Sequence, residues 1–135
     1  MTSAADDIKD YLESVSSLGL NFGVNLFVGK EPVSPRDCVT IYDTPGYPPA
    51  LTLDGADSTS TYEYLSMQVR VRNKSYTEGC SLAYDIMGAL HGQYNLLVNG
   101  SLYTVIYCTG SPALLEWDDN NNAVFILNIN LQRRR

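Results

Sequence analysis

The chain has 135 residues, of which 44% are hydrophobic and 18% charged, and this length and composition are typical of one globular domain. The net charge of -6 argues against a general nucleic-acid binder, because phosphate neutralisation needs surplus lysine and arginine on one face. No apolar run approaches the ~20 residues that span a bilayer, and the N-terminus lacks signal-peptide features, so neither export nor membrane insertion is expected.

Cysteine and tyrosine usage adds two expectations. Cys38, Cys80 and Cys108 are an odd number at wide spacings, which favours buried free thiols in a reducing compartment over a disulfide framework. Ten tyrosines, against three phenylalanines and one tryptophan, favour partly solvent-exposed surfaces or interfaces. Ordinary core and sheet-surface tyrosines explain the same bias equally well.

The first predicted element is a helix. Ser3 is placed to cap it with Asp6 three residues on, and apolar residues follow at helical spacing, namely Ala4, Ile8, Tyr11, Leu12, Val15 and Leu18. Gly19 is suited to end it in a left-handed conformation. From Leu20 the apolar spacing changes to two, which predicts a half-buried strand that begins near Val24.

Two further strands are predicted before the second helix. The first covers residues 38–42, after a proline-containing turn from Glu31 to Arg36. Residues 43–61 break all periodicity, and so long an irregular segment in a small domain is usually functional or disordered. Residues 62–72 give the clearest strand, with a core side of Leu65, Met67, Val69 and Val71 and a wet or interfacial side of Tyr64, Ser66, Gln68, Arg70 and Arg72.

The second helix is predicted from a capping box, Ser75 with Glu78, to about His91, with Gly92 as its stop. Its apolar residues cover more than half of its circumference, namely Cys80, Leu82, Ala83, Tyr84, Ile86, Met87 and Leu90. A helix resting on one sheet needs less, so we expect contact with the first helix or another subunit.

The remaining pattern predicts two more strands. Asn99–Gly100 is a tight-turn signal before a strand at 101–108, and the turn at 118–122 precedes a last strand at 123–132. No linker or repeat divides the chain, so residues 1–135 form one domain of order α-β-β-β-α-β-β. The economical arrangement is an α+β fold with mainly antiparallel pairing and two helices packed on one face.

Patterns for catalysis and metal binding are missing from the sequence. His91 is the only histidine, and a solvated helix-terminal side chain is a simpler interpretation than a nucleophilic scheme. No cysteine or histidine pair has zinc spacing, and Ala123 and Ile129 stand where a calcium loop after Asp118 needs Gly and Glu. We therefore predict no enzyme, no cofactor and no metal, and a simple turn at residues 118–122.

Two basic features remain, the strand face with Gln68, Arg70 and Arg72, and the tail Arg133–Arg135. The strand face is interpreted as an interface for an acidic neighbour or DNA, because Tyr62 and Tyr64 continue it. The tail is interpreted as a fraying terminus.

Two stretches carry a resemblance to a known family. They are Asp37-Cys-Val-Thr-Ile-Tyr-Asp-Thr-Pro-Gly46 and Met67-Gln-Val-Arg-Val-Arg72, the latter followed by Tyr76 and by Ala83 to Leu90 in the next helix. They resemble phage minor capsid proteins of the tail-terminator type, in which an I-Y-D-T-x-G segment precedes a Q-V-R-V-R-x-x-x-Y strand and a helix. The resemblance covers about residues 37–91 and concerns fold and assembly.

The resemblance implies a structural virion protein, made in the host bacterial cytoplasm, that forms a hexameric ring at the head-proximal end of the tail. Such a ring ends polymerisation of the tail-tube protein and joins tail to head or neck, and its closure needs two different complementary protomer faces. The expected interface residues are Tyr62, Tyr64, Gln68, Arg70, Arg72, Tyr76 and Tyr84. The expected partner-contact loop, ordered on meeting a tail partner, contains Asp43, Pro45, Gly46 and Tyr47.

DNA is expected to pass through the ring without specific binding, because acidic lumen residues repel phosphates. Asp54, Asp57, Asp118 and Asp119 are the proposed sources of that charge. Three alternatives stay open: a head-tail connector acting on the portal side, a small enzyme or ligand-binding domain, and a nucleic-acid binder with steep salt dependence that uses Arg70, Arg72 and the arginine tail.

Overall fold

The computed structural model describes residues 3–47 and 62–134. Within them lie two α-helices and seven strands, in this order: α1 Ala4–Ser14, β1 Leu26–Val28, β2 Cys38–Tyr47, β3 Tyr62–Asn73, α2 Tyr76–Leu90, β4 Gln93–Val98, β5 Ser101–Cys108, β6 Ala113–Trp117 and β7 Ala123–Arg134. A 3-10 turn, Ser16–Leu18, follows α1. Asp54, Asp57 and Arg135 lie outside the described residues, so the expectations placed on them stay predictions.

The strands form one sheet in the order β1-β2-β3-β7-β5-β4, with β6 also paired to β7. Every pairing is antiparallel except that of β1 with β2. β5 and β6 lie end to end along the long strand β7, because β5 pairs with residues 129–134 and β6 with residues 123–126. The predicted α+β class, the helix positions and the mainly antiparallel sheet are confirmed, and β4 and β6 are additional strands.

The first helix starts as predicted and ends earlier. The Ser3 hydroxyl accepts a hydrogen bond from the Asp6 N–H at 3.1 Å, whereas Val15 leaves the helical region with φ −83° and ψ 96°. Gly19, with φ 66°, ends the 3-10 turn in the left-handed conformation. β1 begins at Leu26 and not near Val24, because the Asn21 carbonyl accepts the N–H groups of residues 24–26 and closes a turn.

The second helix matches its predicted signals. Ser75 caps it by accepting from the Glu78 N–H at 3.3 Å, and Gly92, with φ 82°, follows its end. The expected contact with the first helix is present, since the Tyr11 hydroxyl donates to the Ala89 carbonyl at 3.0 Å. α2 therefore rests both on the sheet and on the N-terminal helical segment.

One hydrophobic core lies between the helices and the inner face of the sheet. It joins Ile8 and Leu12 of α1, Ile86 and Leu90 of α2, and the alternate strand residues Met67, Val69, Val71, Phe125, Leu127 and Ile129, all at most 2% exposed. The period-two pattern predicted for β3 is confirmed by this burial. All three cysteines are free, with Cys38 buried and Cys80 and Cys108 half-buried.

A buried polar cluster ties α1 to the end of β7. The Tyr103 hydroxyl donates to the fully buried Asp7 carboxylate. Arg133 lies 3.8 Å from Asp7 and donates to Glu63 at 2.6 Å and 2.9 Å. The interpretation of the arginine tail as a fraying terminus is therefore wrong for Arg133, which is 6% exposed. It is also wrong for Arg134, which belongs to β7 and pairs with Tyr62 of β3.

Candidate assembly surface

The side of the sheet that faces away from the helices carries a mainly polar and aromatic surface, which we call the outer face. Alternation and strand register place on it Tyr42, Thr44, Tyr64, Ser66, Gln68, Arg70, Val105, Tyr107, Asn128, Asn130 and Gln132. β5 and β7 contain no acidic residue. Asp43 pairs with the buried Met67, and Glu63 pairs with Arg133, so both belong to inner rows.

Hydrogen bonds between neighbouring strands fix the side chains of the outer face. Ser66 donates to Asn130 at 2.7 Å, and Gln68 donates to Asn128 at 3.2 Å. These pairs stand directly opposite each other in the β3–β7 register. The outer face is therefore ordered before any partner arrives, which lowers the entropic cost of binding.

Arg70 is the central cation of the outer face. Its Nε donates to the Gln68 side chain at 2.9 Å, and its guanidinium lies 5.4 Å from the centroid of the Tyr42 ring. Among the described residues no carboxylate pairs with it. Burial raises the pKa of the Tyr42 phenol, as does Glu31, so Arg70 is stacked on a neutral ring. Tyr64 lies on the same face, as predicted, and is 37% exposed.

Arg72 follows the same alternation but has a different role. It is 7% exposed, and its guanidinium donates to the carbonyls of Pro32 and Pro35, each at 2.7 Å. An ion pair of 2.7 Å with Glu31 completes the arrangement. The expectation that Arg72 belongs to an open interface is therefore wrong, because this arginine is used inside the protomer to hold residues 31–36.

A shallow groove opens in the outer face between Tyr64 and Tyr107. Its volume is about 160 Å³, and its walls are Tyr64, Leu65, Ser66, Val105, Tyr107, Asn130, Leu131 and Gln132. Val105 and the two tyrosine rings supply its apolar walls, and the rim is polar. Tyr62, one pair further along β3, is half-buried opposite Arg134.

The other predicted interface residues lie on the opposite layer. Tyr84 projects from α2 and is 46% exposed, whereas Tyr76 is 49% exposed and packs its ring 5.2 Å from that of Phe125. The exposed surface of α1 and α2, which we call the helical face, is acidic. The acidic residues of the two helices that reach the surface are Asp6, Asp10, Glu13, Glu78 and Asp85, against a single Lys9, whereas Asp7 is buried.

The predicted partner-contact loop is in part a strand. Asp43, Pro45, Gly46 and Tyr47 belong to β2, which runs to Tyr47 opposite Tyr64 with a register irregularity after Thr44. Gly46 makes this possible, since a Cβ there would collide with the Tyr64 carbonyl of β3. The description of these four residues as loop is therefore wrong, and contact with a partner stays a prediction for them.

The remaining candidate groups, His91 and Asp118, make hydrogen bonds that hold the backbone. The His91 Nδ1 accepts from the Cys108 N–H at 3.0 Å, and Asp118 closes the predicted turn by accepting from the N–H groups of Asn120 and Asn122. In the part of the chain that the structure describes, no three acidic, cysteine or histidine side chains converge to hold a metal ion.

Comparison with known proteins decides the family. A family model described as bacteriophage tail terminator protein matches residues 5–135. The chain belongs to this family. Membership makes it a structural protein of the bacteriophage tail, located in the virion, and confirms the resemblance carried by residues 37–91.

Solved structures agree on the fold. A chain from the virion of a native gene transfer agent particle is 12% identical, with a TM-score of 0.67, and the match covers 98% of this chain and 96% of that one. A second solved structure is 14% identical, with a TM-score of 0.55 and coverage of 99% and 98%. No curated protein matches the chain. None of the helices in the described ranges has the length and apolar character needed to cross a bilayer.

Sequence reasoning missed half of the outer face. Asn128, Asn130 and Gln132 alternate with buried residues in β7, a period-two signal that was available in the sequence. Their position beside Gln68 and Ser66 depends on the long-range pairing of β3 with β7, which no local pattern specifies. Tyr107 joins them in the same way through β5.

Proposed function

We propose that this tail terminator closes into a hexameric ring that caps the head-proximal end of the tail, ends tail-tube polymerisation and joins the tail to the head or neck. The contact that closes the ring joins the outer face of one copy to the helical face of the next. One observation carries this proposal: within the described residues the outer face has a cation without an ion-pair partner, Arg70, and the helical face has two such acids, Glu78 and Asp85.

The two faces are complementary in charge. The outer face presents Arg70, with Arg134 at the exposed end of β7. The acidic side chains on this side of the sheet include Glu31, which is paired with Arg72, and Glu116, which β6 places opposite Val124. The helical face presents exposed Glu78 and Asp85 on α2, neither of which forms an ion pair within the described ranges, and α2 contains no lysine or arginine. Opposite charges on two different faces favour contact between copies, and like charges disfavour pairing of identical faces.

The geometry also suits ring closure. A contact between two different faces is heterologous, and such contacts generate closed rings when the rotation between subunits permits it. Both faces are rich in tyrosine, with Tyr42, Tyr64 and Tyr107 on one and Tyr76 and Tyr84 on the other, as in protein interfaces generally. Passage of DNA through the lumen follows from the proposed position of the ring.

A charge-swap experiment tests the contact. We expect Arg70→Glu, Arg134→Glu and Asp85→Arg each to raise the concentration at half-assembly about tenfold or more, and the Arg134→Glu/Asp85→Arg double variant to recover part of the loss. Light scattering gives the mass, and negative-stain images show whether the large species has a central hole. Lys30→Glu, an exposed change outside both faces, is the matched control.

Three results would count against the proposal: wild-type protein that forms no ring alone or on tails, single variants that assemble as wild type, or a double variant with purely additive losses. Binding of the ring to polymerised tail tube, and not to portal assemblies, separates the terminator role from that of a head-tail connector.

A further inference from the structure

The groove on the outer face is the size of a single side chain. Its volume of about 160 Å³ is well below the ~300–1,000 Å³ of sites for small molecules. Val105 and the rings of Tyr64 and Tyr107 give it apolar walls, whereas Leu65 and Leu131 line its base with their side chains on the core side of the sheet. Such a site suits an aromatic side chain that enters from another polypeptide.

The polar rim of the groove suits a side chain with a hydroxyl group. Ser66 and Asn130 are already bonded to each other at 2.7 Å, and the Asn130 amide lies 3.4 Å from the Tyr107 hydroxyl. The Gln132 side chain forms no hydrogen bond within the described ranges, so its amide is available both to donate and to accept. A phenol is therefore a better occupant than a phenyl group.

Tyr84 is the exposed tyrosine on the helical face that matches these requirements. Ser81 and Gly88 lie on the same exposed side of α2, one turn before and one turn after it, and both are small. A Cβ added at Gly88 would meet nothing within 4 Å. Tyr84 is 46% exposed beside an open cleft that Val15, Leu18 and Gly88 also line, whereas Tyr76 is engaged with Phe125.

Charge supports the same pairing. Asp85 directly follows Tyr84 and is exposed, and Arg134 is two residues beyond Gln132 on the same side of β7 and is also exposed. An aromatic ring in the groove brings this carboxylate toward this guanidinium. Because Tyr84 and the groove lie on opposite layers of one protomer, they can meet only between two copies.

We infer that Tyr84 of one copy inserts into the groove between Tyr64 and Tyr107 of the next copy and is the main anchor of the ring contact. This inference rests on the proposed function, since it names the residue and the socket through which the two faces meet. A buried tyrosine at the centre of an interface is a frequent energetic hot spot.

Removal of the Tyr84 side chain tests whether this residue anchors the contact between copies. We expect Tyr84→Ala to raise the concentration at half-assembly more than tenfold, and Tyr84→Phe to have a smaller effect because the ring still fills the groove. Trp117→Ala is the matched control, because Trp117 is 50% exposed on β6 and pairs with the buried Ala123, outside both faces. Thermal melting of each variant shows that assembly, and not folding, has changed.

A cross-link tests the geometry while Tyr84 is retained. Copies with Asp85→Cys are mixed with copies with Arg134→Cys and oxidised, and a disulfide between copies is expected only in the mixture. Adding Tyr84→Ala to the first partner should abolish it. Wild-type protein and each single variant alone control for the three native cysteines.

The outcomes separate the inference from the function beneath it. If rings form but the mixed disulfide is absent, or if Tyr84→Ala assembles as wild type, the assignment of Tyr84 as the anchor is wrong. The proposed ring is unaffected by either result. If Arg134→Cys cross-links to a tail protein and not to a second copy, the groove binds that tail protein and the assignment of Tyr84 from a second copy is wrong. If no ring forms at any concentration or on tails, both the proposed function and the inference are overturned.

Discussion

The Arg72 guanidinium of β3 lies 2.7 Å from the carboxylate of Glu31, which belongs to a segment with no regular secondary structure. The same side chain donates to the carbonyls of Pro32, Val33, Pro35 and Arg36. One buried cation thus satisfies four backbone acceptors and holds the whole of residues 31–36 against β3.

The first prediction follows from this arrangement. We expect Arg72→Ala to lower the free energy of unfolding by about 2–4 kcal/mol, because it leaves Glu31 and several carbonyls without their donor. Arg72→Lys should recover little, since an ammonium cannot reproduce the planar set of donors. Urea unfolding measures the change.

The control for this prediction is Arg70→Ala, two residues earlier on the same strand. Within the described ranges Arg70 makes one hydrogen bond, to Gln68, and one contact with the Tyr42 ring, and it forms no ion pair, so its loss should cost less than about 1 kcal/mol. Equal losses for the two variants would contradict the separate roles assigned to these arginines.

Arg70 and Arg72 also show where sequence reasoning stops. Alternation correctly places both on the side of β3 opposite Met67, Val69 and Val71. What buries Arg72 is a segment about forty residues away that folds back over it, and local patterns carry no information on such contacts. Arg133 was misjudged for the same reason, because its partners Asp7 and Glu63 are remote in sequence.

The local signals, by contrast, were reliable. Both helix caps, at Ser3 and Ser75, are formed by a side chain and an N–H three residues apart, so the sequence contains the whole interaction. β4 was missed because Asn95, with φ 53°, interrupts its alternation. β6 was missed because all five of its residues are exposed, which leaves no buried side to produce a pattern.

A second prediction concerns the hydroxyl of Tyr103, which donates to Asp7 and lies 3.4 Å from an Arg133 nitrogen. At neutral pH we expect Tyr103→Phe to cost about 1–3 kcal/mol, because Asp7 stays buried and loses a donor. Calorimetry or chemical unfolding at pH 7 measures this loss. An unchanged stability would show that the hydroxyl contributes nothing to the cluster.

The same tyrosine predicts a pH dependence. Burial raises the pKa of Tyr103 far above its ordinary value of 10.0, and the hydrogen bond to Asp7 adds to the shift. A folded-state pKa above the unfolded one gives a stabilisation that is complete below pH 10 and is lost as pH rises toward the folded value. We therefore expect the melting temperature of the wild type to fall more steeply above pH 10 than that of Tyr103→Phe.

A third prediction concerns the turn between β6 and β7. Backbone N–H groups of Asn122 and Asn120 and the Asn122 amide lower the pKa of Asp118, on which they converge. A lowered folded-state pKa gives a stabilisation that is present above the ordinary value of 3.8 and lost as pH falls through the folded value.

Asp118→Ala should therefore lower the melting temperature at pH 7, with a difference from wild type that shrinks as pH falls below 3.8. Asp119→Ala is the matched control, because Asp119 is exposed and its side chain makes no hydrogen bond within the described ranges. A deficit of Asp118→Ala that persists unchanged at low pH would mean that the carboxylate charge is not what stabilises the turn.

The last prediction contrasts two glycines of α2. A Cβ at Gly79 would lie 3.0 Å from the Asn73 Cβ and 3.0 Å from the Phe125 ring, whereas one at Gly88 would meet nothing within 4 Å. Gly88→Ala should therefore raise stability by about 0.5–1 kcal/mol through helix propensity alone. Gly79→Ala gains the same propensity but must push α2 away from Phe125, so a net loss of about 1–2 kcal/mol is expected. Chemical unfolding of the two variants side by side measures both signs, and stabilisation by Gly79→Ala would show that the helix shifts on the sheet without cost.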